Sequence, residues 1–422
     1  MLDRPIEAAQ IRTILNSEGG FSIEAEVRVE GGEGRGSVPG AIIPGRREQK
    51  TTDVSQLRAS VESAGVGALI DLIRGARFDS QAEFDALFHE NPIFAGVGTD
   101  VSLALSLAYC PAQAKASGQP LHVRIASLAG STPAMPKPIV NVFSGGVHGG
   151  QTPFQQAMII PKDTDFHSNV EIALSVYSSV QSDIKARGQL CGYSASSGML
   201  TTLTDQRELF EVLARKLDAM GLSDQVGLGT DVAAEHLESN CGGYKLYANC
   251  LPVTLEELAD YHRQLLRDYD FLFFEDPFGP DDSAQWRRLT AEVDAKTMIV
   301  GDDLFATNSA NIDCGLASGI LLKMNQVGTV SGTLKAAETA RAAGMRLCVS
   351  HRSKETEDTA MCDLAVAIGA ELIKVGGPRR GDRIAKYNQL LRLVERLENR
   401  QAVPDGRLQP RHGRVVNREQ GT

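Results

Sequence analysis

Six ionisable side chains in the second half of the chain each follow a short apolar run: Asp231, Glu275, Asp302, Lys323, His351 and Lys374. Three are carboxylates, which repel one another when they converge unless a hard cation neutralises them, and an all-oxygen ligand set suits Mg²⁺ rather than zinc. A lysine has an ordinary pKa of about 10.4, but a nearby divalent ion disfavours its charged form and makes it a usable base. These residue types predict removal of the proton α to a carboxylate that is held by Mg²⁺.

The apolar runs that precede these side chains are typical of buried parallel strands. TMIVGDDLFATN (297–308), for example, ends an apolar run in Gly301 and two adjacent acids. Seven such runs occur: PIVNVF (138–143), QVGLGTD (225–231), FLFFEDP (271–277), MIVGDD (298–303), GILLKMNQ (319–326), RLCVSH (346–351) and ELIKVGG (371–377). A helix that fills one interval begins with a capping box of Thr254 and Glu257. The repeated units favour a TIM-like β/α barrel over an open doubly wound sheet, with the chemistry at the carboxyl ends of its strands.

The pattern changes near residue 135, and we predict three parts. These are an N-terminal α+β domain (1–135), a catalytic β/α barrel (136–398) and a polar, basic and loosely ordered tail (399–422). In the first part, residues 14–41 alternate apolar and polar residues between glycines, which predicts an antiparallel hairpin. Helical patterns follow at about 54–75 and 99–117, and the proline-rich segment 131–138 is typical of a linker.

Composition limits the class of protein. The 422 residues have a formal net charge of -10, which argues against non-specific nucleic-acid binding. Seven scattered cysteines without a C-x-x-C pair argue against a disulfide framework or a zinc ribbon. The first ten residues lack the apolar core of a secretory signal, and no run reaches the ~18 apolar residues of a membrane span. We therefore predict a cytoplasmic protein with neither nucleic-acid nor membrane partners.

Each candidate residue also has a structural interpretation. A single carboxylate after a strand is more often a cap or a loop acid, and Lys323 could extend its ammonium group to solvent. His351 alone is more often a structural histidine. Ser350 and His351 could belong to a hydrolase triad, but the chain has no G-x-S-x-G motif, and the glycines of GGEGRG (31–36) do not lie between a strand and a helix as a dinucleotide site requires. The functional interpretation rests on the joint spacing of the six residues.

The same segments resemble hallmark motifs of the enolase family. They are FFEDPFGPDD (273–282), VGDDLFATN (300–308), LLKMNQVGT (321–329), VSHRSKETED (349–358) and GDRIAKYNQLLRLVERL (381–397). The likeness runs from about residue 10 to residue 398 and is weaker in the first third. It implies a small N-terminal α+β domain packed on a β/α barrel, usually in a homodimer, with Mg²⁺ as the cofactor.

The resemblance also implies roles for individual residues. The Mg²⁺ ligands would be Asp231, Glu275 and Asp302, and Asp303 would lie beside them. Lys323 would take the α-proton, and Lys374 would stabilise the enediolate together with the ion. Arg352 and Ser353 would hold a phosphate, His148 of SGGVHGG (144–150) would close over it, and His351 stays a candidate catalytic group.

The chain departs from the family pattern where an acid is expected. GYSAS (192–196) stands in place of G-D-E-G-G and puts Ser194 at the acid's position, and Gln156 replaces a second glutamate. Gln155, Gln156 and Ser194 are therefore candidate substrate contacts rather than acids. The loop P-S-G-A-S-T-G reads PGAIIPG (39–45), with Ile43 at the serine expected beside a second metal, and NSEGG (16–20) replaces D-S-R-G-N.

Neither Ser194 nor Gln156 supplies an ionisable acid, and general-acid help is typically worth ~10²- to 10⁴-fold. We therefore predict that the half-reaction that makes the enediolate is intact and that the half-reaction that expels hydroxide is altered. We predict a Mg²⁺-dependent enolase-like lyase acting on a phosphoglycerate-like or phosphonate-containing carboxylic acid to give an enolpyruvate-type product. A leaving group that needs no protonation would fit the carboxyphosphonoenolpyruvate synthase branch of phosphonate biosynthesis. Two alternatives stay open: ordinary conversion of 2-phosphoglycerate to phosphoenolpyruvate in glycolysis, and a catalytically silent binding protein on the same scaffold.

Overall fold

The computed structural model describes residues 3–42, 45–48, 59, 61–90, 98–246 and 251–402. Its N-terminal part has a three-stranded antiparallel sheet of β1 (Ile6–Leu15), β2 (Phe21–Val29) and β3 (Gly32–Ser37). The helices of this part are α1 (Ala64–Ile73), α2 (Gln81–Glu90), α3 (Thr99–Ala116) and α4 (Leu121–Ala129). The predicted small α+β domain is thus present. Of the helix predicted at 54–75, residues 54–58 and 60 lie outside the described part, and α1 begins at Ala64.

The glycines of GGEGRG allow the sheet to approach helix α3. A Cβ atom at Gly34 would lie 2.0 Å from the carbonyl oxygen of Ala108, and one at Gly32 would lie 2.2 Å from that of Ala112. A side chain at either position would push α3 away from β3. These glycines serve close packing in a β-hairpin, which agrees with the argument against a dinucleotide site.

Strands and helices alternate through the rest of the described chain. The strands are β4 (Lys137–Ser144), β5 (Gln156–Pro161), β6 (Leu190–Tyr193), β7 (Met199–Thr201), β8 (Val226–Asp231), β9 (Phe271–Glu275), β10 (Met298–Gly301), β11 (Gly319–Leu322), β12 (Arg346–Ser350) and β13 (Leu372–Lys374). The helices are α5 (Phe166–Ala186), α6 (Gln206–Ala219), α7 (Leu255–Asp268), α8 (Ser283–Glu292), α9 (Met324–Val327), α10 (Val330–Ala342), α11 (Ala360–Ala367) and α12 (Gly381–Ala402). The capping box predicted at the start of α7 is present in full.

Eight strands close into a barrel in the order β4, β5, β8, β9, β10, β11, β12 and β13, because β13 pairs with β4. Seven of them match the predicted apolar runs. The eighth, β5, was missed by the sequence interpretation, and it runs antiparallel to both β4 and β8. The connection over residues 145–155 contains no crossover helix, and a parallel pair requires a longer crossover. Strict alternation of strand and helix therefore fails at this step, and β6 and β7 also follow each other without a helix between them.

The barrel interior is a packed apolar core, so a ligand must bind at the mouth. The interior is filled by Ile139, Met158, Ile160, Phe273, Met298, Val300, Leu321, Cys348 and Leu372. A larger apolar layer packs between the strands and the surrounding helices. Among the helices that the structure describes, none combines the length and the apolar character needed to cross a membrane. The domain limits at residues 135 and 398 stay predictions, and the tail beyond residue 402 lies outside the described part.

Asp85 of α2 joins the N-terminal domain to the barrel. Its buried carboxylate accepts hydrogen bonds from the amide of Ser331 in α10 (2.9 Å) and from Nε2 of Gln81 (3.0 Å). Burial raises the pKa of Asp85 from 3.8 to about 6. The folded protein thus binds this proton more tightly than the unfolded chain does, so the contribution of Asp85 to stability falls as the pH rises from about 4 to 6.

Replacing Asp85 with asparagine should remove this dependence on pH. We expect the unfolding free energy of the native protein, minus that of the variant, to fall by up to about 3 kcal/mol between pH 4 and pH 7. Urea unfolding at several pH values measures this difference. Asp71→Asn, which removes the same charge from an exposed residue of α1, is the control for a general effect of net charge. A difference for Asp85→Asn that stays constant or rises with pH would contradict the assignment.

Candidate active site

The carboxyl ends of the barrel strands bring most of the predicted site residues to one cavity. Ten of the twelve line it: His148, Gln155, Gln156, Asp231, Asp302, Lys323, His351, Arg352, Ser353 and Lys374. Glu275 and Ser194 are not among the lining residues. Glu275 is buried at the end of β9. Ser194 is buried as well.

Lys374 and two carboxylates form the deepest part of the site. Its Nζ donates hydrogen bonds to Oδ2 of Asp231 (2.9 Å) and Oε2 of Glu275 (2.6 Å). Burial favours a low pKa for Lys374, but the two carboxylates outweigh burial and raise it. Burial, followed by the nearby charge of Asp231, raises the pKa of Glu275 to about 8. Oε1 of Glu275 is buried and has no hydrogen-bond partner among the described residues.

A second lysine holds a second carboxylate. Nζ of Lys323 donates to Oδ2 of Asp302, and Nε2 of Gln326 donates to Oδ1 of Asp302 (2.8 Å). Burial by itself would raise the pKa of Asp302. The positive charges of Lys323 and Arg352 together have the larger effect, so the pKa of Asp302 is lowered. Burial by itself would lower the pKa of Lys323. The negative charges around it, that of Asp302 first, together have the larger effect, so the pKa of Lys323 is raised. Lys323 is therefore a poor base while Asp302 is its counter-ion. A cation that binds Asp302 in place of Lys323 would lower the pKa of Lys323.

Asp276 fixes the turn that carries the two acids after β10. Its carboxylate accepts hydrogen bonds from the backbone amides of Asp302 and Asp303, each at 2.9 Å. Asp276 itself has a φ of 43°, a conformation that is unusual for a residue other than glycine. Asp276, which directly follows β9, thus holds the turn after β10 in place. That turn positions the side chain of Asp302. The sequence interpretation missed Asp276, although FFEDP places it directly after Glu275.

Three carboxylates come close enough to share one cation. One oxygen each from Glu275, Asp276 and Asp302 lies within 4.8 Å of the others. The predicted set had Asp231 in place of Asp276, and Asp231 and Glu275 both accept hydrogen bonds from Lys374. Burial and neighbouring acids raise the pKa of Asp276 well above its ordinary value. An all-oxygen donor set with an unpartnered Glu275 oxygen fits a hard cation such as Mg²⁺.

The predicted phosphate site lies beside these carboxylates. The guanidinium of Arg352 donates to both carboxylate oxygens of Glu48, at 2.9 and 3.0 Å. Oγ of Ser353 accepts a hydrogen bond from the amide of Ile42 (2.9 Å). The backbone amide of Arg352 is held by Glu355 (2.8 Å), a buried residue. The sequence interpretation missed Glu48, because nothing local to it indicates a partner 304 residues away.

Both candidate histidines are neutral. Burial lowers the pKa of His148 to about 4, and its Nε2 donates to Oε1 of Gln155 (3.1 Å). Burial and nearby cations lower the pKa of His351 well below its ordinary value, and its Nδ1 donates to the carbonyl oxygen of Arg352 (2.9 Å). Both rings line the cavity. His351 therefore supports the backbone of Arg352 in addition to facing the cavity.

Ser194, one of the two positions predicted to lack an acid, is not among the residues that line the cavity. Oγ of Ser194 lies 2.8 Å from Oγ of Ser144 and accepts a hydrogen bond from the amide of Gly198 (3.2 Å). Ser196, not Ser194, lines the cavity. Gln156 lines it as well, so neither predicted acid position supplies a carboxylate to the cavity. Ile43 lies outside the described residues.

The fold and site define a β/α-barrel protein whose mouth combines buried carboxylates, two lysines and an arginine. A family model described as "Enolase, C-terminal TIM barrel domain" matches residues 132–409. The chain therefore belongs to the enolase family. This match confirms the family and fold predicted from the sequence motifs, and it identifies an enzyme superfamily whose members generally depend on a metal ion.

Proposed function

We propose that this chain is a cytoplasmic, Mg²⁺-dependent lyase that removes the α-proton of a phosphorylated or phosphonylated carboxylic acid to give an enolpyruvate-type product. The observation that carries the proposal is the pairing of two lysines, the buried Lys374 and the largely enclosed Lys323, with converging carboxylates in the cavity that also holds Arg352. This set provides a base, a cation site and an anion site next to one another. A catalytically silent protein would have no need to bury so many charges, since each is costly to desolvate.

Each group has a defined task in this proposal. Mg²⁺ bound by Glu275, Asp302 and either Asp276 or Asp231 would neutralise the charge that develops on the substrate carboxylate. Lys323, no longer the counter-ion of Asp302, accepts the α-proton at Nζ. Lys374 stays protonated and donates hydrogen bonds toward the developing enediolate. Arg352 binds the phosphate or phosphonate group, and Ser353 lies beside it.

The missing acids favour a leaving group that departs without protonation. Gln156 and Ser194 cannot donate a proton to a leaving hydroxyl at neutral pH, since neither side chain ionises. We therefore propose a specialised paralogue, with a carboxyphosphonoenolpyruvate synthase-like role in phosphonate biosynthesis as the leading candidate. Ordinary dehydration of 2-phosphoglycerate is the second candidate, favoured by the retained lysines and carboxylates. We also propose that the protein forms a homodimer or a higher homo-oligomer.

Hydrogen exchange over a panel of acids tests the proposal. In D₂O with Mg²⁺, at least one phosphorylated or phosphonylated acid should lose its α-hydrogen, and its unphosphorylated counterpart should exchange far more slowly. Chelation of the metal should stop the exchange and lower the melting temperature, because the bound ion stabilises the native state. Exchange would be followed by NMR and stability by calorimetry. Exchange that persists without metal, or a melting curve unchanged across millimolar Mg²⁺, would contradict the cation's role.

A further inference from the structure

Glu48 engages the two terminal nitrogens of Arg352, a pair of donors that a bidentate contact with phosphate would also use. Nη1 of Arg352 donates to Oε1 of Glu48 (2.9 Å) and Nη2 donates to Oε2 (3.0 Å), so both arms of the guanidinium are engaged. Each of the two side chains is only 4% exposed. Phosphate and carboxylate oxygens bind arginine through the same pair of donors. A ligand phosphate and Glu48 therefore cannot both have bidentate contact with these two nitrogens of Arg352.

Residues 45–48 are anchored across the barrel mouth by charged contacts. Arg46 and Arg47 bind groups that follow β8, β9 and β10: Glu235, Glu238, Pro280, Asp281 and Leu304. Glu48 also accepts a hydrogen bond from Nε2 of Gln326 (3.3 Å), which donates to Asp302 as well. The carboxylate is thus held at Arg352 from several sides.

We propose that Glu48 is a specificity-determining residue, a resident counter-ion of Arg352 that the phosphate or phosphonate of a ligand must displace. The inference rests on the proposed function, because it takes Arg352 as the anion site. A ligand without such a group can bind at the cation while Glu48 keeps its place. The apparent affinity for phosphorylated acids is therefore reduced in proportion to the fraction of molecules in which Arg352 is free of Glu48. The affinity for unphosphorylated acids is not reduced.

Glu48→Gln tests this directly, because the amide keeps the shape of the side chain and loses its charge. In calorimetric titrations with Mg²⁺ present, we expect inorganic phosphate and 2-phosphoglycerate to bind the variant about 10- to 100-fold more tightly than the native protein. Glycerate should change by less than about twofold, since it does not require Arg352. The ratio of the two affinities is therefore the decisive quantity.

Glu357→Gln is the matched control. It removes the same charge from an exposed residue in the loop that follows β12, and leaves the contacts of Arg46 in place. Any general electrostatic gain in anion affinity will occur in both variants, and only the excess in Glu48→Gln supports the proposal. Equal gains in the two variants would overturn it.

Arg46→Gln covers the case in which Glu48→Gln does not fold. Arg46 is half-exposed, and its loss weakens the anchor of residues 45–48 without altering Glu48. Removing a positive charge should by itself weaken phosphate binding. We expect the opposite, a gain of about two- to fivefold, because Glu48 then leaves Arg352 more readily. Unchanged or weaker phosphate binding would count against the proposal.

The double variant Glu48→Gln/Arg352→Gln separates this inference from the proposed function. If phosphate binds the double variant as tightly as it binds Glu48→Gln, Arg352 is not the anion site, and that part of the proposed function fails. If the double variant loses phosphate binding while the native protein and Glu48→Gln bind equally, only the role of Glu48 is overturned. Weaker binding in Glu48→Gln would show that Glu48 positions Arg352 instead, which also overturns the inference.

Discussion

Replacing Lys323 with alanine should abolish α-hydrogen exchange, with a loss of at least ~10³-fold for an essential base. Lys323 lines the cavity, and its Nζ contacts Asp302, one of the carboxylates proposed to bind the cation. Once a cation replaces the lysine as the partner of Asp302, Lys323 is free to accept a proton. The measurement is deuterium incorporation into the best substrate of the panel, with Mg²⁺ saturating.

Lys162→Ala provides a matched control for Lys323→Ala. Lys162 also pairs with an aspartate, Asp270 (2.8 Å), but both residues lie at the opposite end of the barrel strands. Its loss should leave exchange unchanged. Circular dichroism and urea unfolding establish that each variant is folded, and Mg²⁺ should restore part of any stability that Lys323→Ala loses by leaving Asp302 without its partner. Exchange that survives in Lys323→Ala would transfer the role of base to another group, with Lys374 the first candidate.

The residues at strand ends could be predicted because they depend on local pattern. Asp231, Glu275 and Lys374 end β8, β9 and β13, and each follows a short, largely apolar run that is typical of a buried strand. The barrel rule then places them at one mouth without any knowledge of individual contacts. Strand β5 was missed because the chain reaches it by a direct reversal from β4, without an intervening crossover helix. A pattern of alternating strands and helices contains no information about such a reversal.

The partners of these residues could not be predicted in the same way. Side-chain geometry, which spacing does not determine, decides whether Lys374 binds Asp231. It also decides whether Asp276 or Asp231 belongs to the group of carboxylates that can bind a cation. Glu48 reaches Arg352 only after the N-terminal domain has packed on the barrel, so the contact depends on the whole fold. Ser194 shows the same limit, because alignment with a motif places a residue in the chain but does not decide whether it faces the cavity.

Dehydration of 2-phosphoglycerate should be slow in the native protein. We expect phosphoenolpyruvate to form at least ~10²-fold more slowly than a typical turnover of about 10 s⁻¹, because no acid protonates the leaving hydroxyl. If 2-phosphoglycerate is accepted, its α-hydrogen should exchange faster than it dehydrates, since proton removal precedes loss of hydroxide. Enol absorbance and deuterium incorporation, measured on the same samples, give this partition. Native turnover at tens per second would identify an ordinary enolase in which the missing acids are not required.

Gln156→Glu should shift the partition toward phosphoenolpyruvate, because Gln156 lines the cavity and a carboxyl group there can reach a ligand. Ser194→Glu should not, since Ser194 is buried against Ser144 and a glutamate would have to break that contact before it could enter the cavity. Gln155→Glu is the matched control: it introduces the same charge into the same cavity on the neighbouring residue, whose partner is His148. A gain of about tenfold or more in the ratio of dehydration to exchange, confined to Gln156→Glu, would show that an acid at this position is what dehydration lacks. Equal gains in Gln155→Glu and Gln156→Glu would instead indicate a general effect of charge, and no gain in either would place the block at another step, such as the binding of a second metal.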